Sequence, residues 1–148
     1  MSVRVLIADS SGLRRDIIRQ HLQCLGCAVV AEAATALHAL NLFRTVRPDV
    51  VALEAELPRA AADDAELDGL ALFRAIHQEA PATAVLMLSA ADAAETSRSF
   101  LREGALDCIV EPFDRAGFAR MWRSLAAVYP ELGRGDLAAG SPPTRRRA

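Results

Sequence analysis

Five residues of this chain carry types and spacings that could do chemistry together. Asp9 follows a run of apolar residues, Val5-Leu6-Ile7-Ala8, and Ser10 follows Asp9. Glu54 ends a second such run, Ser89 ends a third, and Glu111 follows a fourth before Pro112. Carboxylates and hydroxyls gathered in one crevice could hold a hard cation or share a proton. Each has a plainer reading as well. Asp and Ser cap helices well, so Asp9 and Ser10 could be a strand-to-helix cap, and Glu54 could be a solvated strand end.

The elements that must position these residues follow from periodicity. Residues 3–8, 28–31, 49–54, 84–88 and 107–110 read as short buried strands. Between them, apolar residues recur at helical spacing: Leu13, Ile17, Ile18, Leu22 and Leu25; Leu37, Leu40 and Phe43; Leu70, Leu72, Phe73 and Ile76. A fourth helix is expected over residues 93–103, closed by Gly104, and a fifth carries Phe118, Trp122 and Leu125 on one face. Alternating strands and helices predict an α/β fold, a doubly wound five-stranded parallel sheet in a three-layer αβα sandwich. In such sheets the ligand site lies beyond the C-terminal ends of the strands. That rule brings Asp9, Glu54, Ser89 and Glu111 to one crevice.

Composition bounds the function. The chain has 148 residues, 52% of them apolar, which suits one compact domain over residues 1–130. Residues 131–148 are rich in Gly, Ala, Ser and Pro, end in Arg145-Arg146-Arg147-Ala148, and are expected to be a disordered tail. The alanine-rich stretch 59–66 is expected to be an extended loop beside the crevice. Formal net charge is -2, so no global field favours nucleic acid or an anionic membrane. All 17 basic residues are arginine, which excludes lysine chemistry. No apolar run approaches the roughly 20 residues that span a bilayer, and no secretory signal opens the chain. A cytoplasmic location is expected.

Other motifs carry less. His21, Cys24 and Cys27 are spaced H-x2-C-x2-C, but no companion cluster supplies a fourth ligand, so core and surface cysteines are the expected reading. Ser10-Ser11-Gly12 is not a P-loop. The terminal arginines read as a solvated run.

Seven short segments in order resemble the CheY-like receiver domain of bacterial response regulators. They are Val5-Leu6-Ile7-Ala8-Asp9, Arg47-Pro48-Asp49-Val50-Val51, Leu57-Pro58, Asp68-Gly69-Leu70, Leu86-Met87-Leu88-Ser89-Ala90, Gly104-Ala105 and Glu111-Pro112-Phe113. The resemblance covers about residues 3–128. It implies a site where a histidine kinase phosphorylates an aspartate at the end of the third strand. Two acids after the first strand would help hold Mg²⁺. A hydroxyl after the fourth strand and a lysine after the fifth would contact the phosphoryl oxygens.

Against that pattern, Asp9 keeps the first acid and Ser10 replaces the second. Glu54 occupies the phospho-acceptor position, Ser89 keeps the hydroxyl, Glu111 replaces the lysine, and Cys108 stands at the aromatic switch position. A cis Glu111-Pro112 bond is also implied. Glutamate is one methylene longer than aspartate and carries one charge, against about -1.5 to -2 for a phosphate. Glu54 and Glu111 about 4 Å apart would repel by roughly 4 kcal/mol at an effective dielectric near 20. A shared proton, a bound cation, or side chains turned toward water would each relieve this.

The expectation is therefore a stand-alone atypical receiver (a pseudo-receiver) in two-component-type signalling. It is expected to act through protein contacts without ordinary aspartyl phosphorylation, and not as an enzyme. Its expected partners are a histidine kinase or an output protein, met through residues 93–127, and a homodimer through that face is a further option. Mg²⁺ binding is expected to be weakened, with Asp9 and Glu54 as the candidate metal ligands. The alternative is a receiver that still accepts a phosphoryl group, or binds a divalent cation, in a rebuilt acidic pocket.

Overall fold

The computed structural model describes residues 2–58, 67–90 and 94–130. Met1, the stretch 59–66, residues 91–93 and the segment 131–148 lie outside the described residues, and with them the expected loop and tail. Five strands and five helices alternate: β1 (Arg4–Ala8), α1 (Gly12–Cys24), β2 (Ala28–Ala33), α2 (Ala36–Val46), β3 (Val50–Glu54), α3 (Gly69–Glu79), β4 (Ala84–Ser89), α4 (Ala94–Arg102), β5 (Asp107–Val110) and α5 (Arg115–Val128). The sheet is wholly parallel, in the order β2-β1-β3-β4-β5. This is the predicted doubly wound, three-layer architecture.

Strand geometry explains the two cores. Successive side chains point to opposite faces. Val5 and Ile7 therefore join Ile18 and Leu22 of α1 and Phe118, Met121, Trp122 and Leu125 of α5 on one side. Leu6 and Ala8 join Phe43 of α2, Leu72, Phe73 and Ile76 of α3 and Phe100 of α4 on the other. Phe118, Trp122 and Leu125 are buried, as their spacing predicts.

Two local expectations change. β2 continues past Ala31 to Ala33, because Glu32 and Ala33 pair with Ile7 and Ala8. In α1, Ile18, Leu22 and the capping Leu25 face the core, but Leu13 is 72% exposed and Ile17 also faces solvent. Helical spacing admits two apolar faces on α1, and only one meets the sheet.

Helices α1, α3 and α5 each start on a side-chain cap. Ser11 accepts from the Arg14 amide, Asp68 from Ala71 and Asp114 from Gly117. Gly69 lets α3 start hard against the end of β3. A Cβ there would lie 2.7 Å from the Ala55 carbonyl oxygen and 2.8 Å from that of Glu54. The Gly69 amide donates to the Leu57 carbonyl at 3.0 Å, tying the two segments.

Candidate functional site

The C-terminal ends of β1, β3 and β4, with the residue after β5, form a cleft of about 110 Å³ lined by Asp9, Arg14, Glu54, Glu56, Ser89 and Glu111 among others. Asp9, Glu54, Ser89 and Glu111 are thus brought together as the strand-end rule requires. Asp9 is fully buried, Glu54 and Ser89 are nearly so, and the Glu111 side chain is 39% exposed. The Glu111-Pro112 peptide is cis. The Glu111 amide donates to the Ser89 carbonyl at 3.0 Å.

Glu54 is held on both carboxylate oxygens. Oε1 accepts from the Ser10 amide at 2.9 Å and from the Ser10 hydroxyl at 2.8 Å. Oε2 accepts from Arg14 Nη2 at 2.9 Å. The same guanidinium donates through Nε to Asp9 at 3.1 and 3.2 Å. Its Nη1 lies 3.6 Å from Glu111 Oε1. Arg14 therefore bridges all three carboxylates that the sequence nominated. Asp9 also accepts from the Ser11 amide at 2.8 Å. The helix cap is thus Ser11, while Asp9 lines the cleft and the exposed Ser10 donates to Glu54.

This corrects the electrostatic expectation. None of the three remedies for Glu54 and Glu111 included a cation from the chain itself. Arg14 is that cation, and Glu111 also leans toward water. The Arg14 position carried a signal. It lies in the first turn of α1, which holds no acid, and the helix dipole disfavours cations there. Such a residue needs an anionic partner, and the partners are the strand-end carboxylates.

Burial dominates at Asp9 and pushes its carboxyl pKa up. The Glu54 charge adds to the rise, and the Ser11 amide and Arg14 offset part of it. Burial opposes the Arg14 charge, yet Asp9 and Glu54 hold the guanidinium firmly protonated.

A second arrangement sits on the β4 side of the cleft. Glu56, two residues beyond β3, accepts from the Ser89 hydroxyl at 2.8 Å and from the Ala90 amide at 3.2 Å through one oxygen, Oε1. Sequence reasoning passed over Glu56, because an acid in a polar loop has no distinguishing spacing. Below it, Cys108 is buried, and its thiol donates to the Ser97 hydroxyl of α4 at 2.9 Å. Burial raises the Cys108 pKa, and Ser97 offsets part of the rise.

His21, Cys24 and Cys27 do not assemble. The His21 ring stacks on Phe118 at 4.7 Å, Cys24 is exposed, and burial pushes the Cys27 thiol up to about 12.

A family model described as "Response regulator receiver domain" matches residues 5–122. This chain belongs to that receiver-domain family. Receiver domains are signalling modules of two-component systems and meet kinases and output proteins. The chemotaxis protein CheY of Listeria monocytogenes is 32% identical over 111 residues, 75% of this chain and 87% of its own length. The response regulator MprA of Mycolicibacterium vanbaalenii is 32% identical over 140 residues, 94% of this chain but 57% of its own length. The chain thus spans little more than half of MprA. The crystal structure of the receiver domain of NtrX from Brucella abortus superposes with a TM-score of 0.66 at 29% identity, over 86% of this chain and 97% of that one.

Receivers of the ordinary pattern hold Mg²⁺ on acids at these strand ends, and the residues here fit that ion poorly. Magnesium demands a near-octahedral set of oxygens. Here the Asp9 and Glu54 oxygens are taken up by N–H and O–H donors, and Ser10 donates to Glu54 where a second acid would coordinate. A guanidinium already lies among the carboxylates. Among the described residues, no group of three or more His, Cys, Asp and Glu could hold a metal ion. No described helix is long and apolar enough to cross a membrane.

Proposed function

We propose that this receiver is an atypical member that works as a protein-binding module, with its pocket closed to ordinary aspartyl phosphorylation. The observation that carries the reading is the bridging of Asp9, Glu54 and Glu111 by Arg14. Phosphoryl transfer to a carboxylate needs a free oxygen in line with the incoming phosphorus and positive charge placed on the transferred group. Both oxygens of Glu54 are engaged, and the available cation is spent on neutralising the pocket. Glu111 adds negative charge where the family resemblance expects a lysine.

The partner is a histidine kinase or an output protein. It meets the face made by α4, β5 and α5, where Leu101 of α4 presents an exposed apolar side chain. A homodimer through the same face is the alternative occupant. Incubation with acetyl phosphate and Mg²⁺, followed by intact-mass measurement, tests the reading. An unchanged mass is expected. A clean gain of one phosphoryl group mapping to Glu54 would overturn it.

A further inference from the structure

We infer that Glu56, not Glu54, supplies the anion that the β4 side of the pocket would otherwise receive from a phosphoryl group. The inference deepens the proposed function and rests on it. In the ordinary pattern the hydroxyl after the fourth strand turns to a phosphoryl oxygen. Here the Ser89 hydroxyl and the neighbouring Ala90 amide converge on a single oxygen, Glu56 Oε1, at 2.8 and 3.2 Å. One oxygen accepting an O–H and an adjacent backbone N–H reproduces how a bound oxyanion is gripped.

Glu54 cannot serve in this way. Its oxygens face the start of α1, where Ser10 and Arg14 take them. The two acids are fixed in opposite directions by their location. Glu54 ends β3, and its carboxylate turns toward β1. Glu56 lies beyond the strand, past the point where the Ala55 amide still pairs with the Leu88 carbonyl at 2.8 Å. That extra reach puts its side chain over the end of β4.

The consequence concerns regulation. The end of β4, at Ser89 and Ala90, is tied to an anion that cannot dissociate or hydrolyse. The placing of the Ser89 hydroxyl and the Ala90 amide is thus set from inside the chain. Glu56 is a positioning residue for the C-terminal end of β4.

Amide hydrogen exchange of the full chain tests this, comparing wild type with Glu56→Ala and Glu56→Gln at matched temperature and pH. Loss of a charge-assisted acceptor should speed exchange at Ala90 about fivefold or more in Glu56→Ala. Glu56→Gln keeps a neutral acceptor and should fall between. Amides of β1 should not change, which separates local release from global destabilisation. Ala90 exchange within about twofold of wild type in both variants would overturn the inference. Acetyl phosphate labelling of Glu54 in the wild type, with the Ala90 response intact, would overturn only the pocket-closure reading.

Discussion

Replacing Arg14 by alanine should convert a settled pocket into a pH-dependent and cation-dependent one. The variant removes a guanidinium that donates to Asp9 and Glu54 and lies 3.6 Å from Glu111. Two of those carboxylates have nearly buried side chains, 1% and 9% exposed. Removing one partner of a fully buried ion pair costs about 3–5 kcal/mol. The Arg14 side chain is one-third exposed, so solvent screening reduces this to about 2 kcal/mol at neutral pH. For a domain of this size that is a fall in Tm of roughly 6–10 °C.

The pH trend carries a definite sign. The Asp9 pKa is already raised in the folded state, chiefly by burial, and Arg14 partly offsets the rise. Removing Arg14 raises it further. A raised carboxylate contributes stability below its unfolded pKa and loses it as pH climbs through the folded value. The deficit of Arg14→Ala should therefore shrink at an acid pH, toward the unfolded carboxylate value, and be full at neutral pH. Millimolar Mg²⁺ should restore part of the loss in the variant by binding the freed carboxylates, and leave the wild type unmoved. Thermal unfolding at the two pH values, with and without Mg²⁺, reads all of this. A Tm within about 1 °C of wild type at neutral pH would refute the bridging role. An equal response of both proteins to Mg²⁺ would refute the view that Arg14 occupies the place of a metal.

Gly69→Ala should cost about 1–3 kcal/mol, because the new methyl meets the Glu54 and Ala55 carbonyl oxygens and one segment must give; a urea midpoint unchanged from wild type would show that this junction is looser than described. Of the three cysteines, only Cys24 should react quickly with a thiol reagent in the native state, since Cys27 and Cys108 are buried with raised pKa values, and all three should react in denaturant.

The fold was legible because its signals are redundant. β3 and β4 are buried along their whole lengths, so each reads as an unbroken apolar run, and the helices between them carry apolar residues at helical spacing. α1 was less clear, since the solvent-facing Leu13 and Ile17 blur its core stripe. Strand-end acids were legible for a topological reason, because a parallel sheet collects whatever follows its strands on one edge. Arg14 and Glu56 were not legible as site residues. Both act through long side chains from loop or helix-start positions, and where such a chain reaches depends on packing that no periodicity encodes. Arg14's part in the charge balance of the pocket was therefore not legible, although the strand-end rule gathers the acids that it bridges.

That balance decides what restoring an aspartate would do. Glu54→Asp shortens the side chain, yet it leaves Arg14 paired to Asp9 and near Glu111, and Ser10 still supplies no second acid. The shorter carboxylate still faces a guanidinium at the place where the metal would coordinate. Glu54→Asp alone should remain unphosphorylated by acetyl phosphate and Mg²⁺. Combining it with Arg14→Ala, Ser10→Asp and Glu111→Lys removes the internal cation and rebuilds both a metal set and a phosphate contact. Intact mass should then show a gain of one phosphoryl group. Labelling of the single Glu54→Asp variant as readily as the combined one would mean that side-chain length at position 54 is the sole barrier. Arg14 would then serve stability alone. If instead the single variant stays unlabelled and the combined one reacts, the barrier lies beyond position 54, in the surroundings that Ser10, Arg14 and Glu111 build.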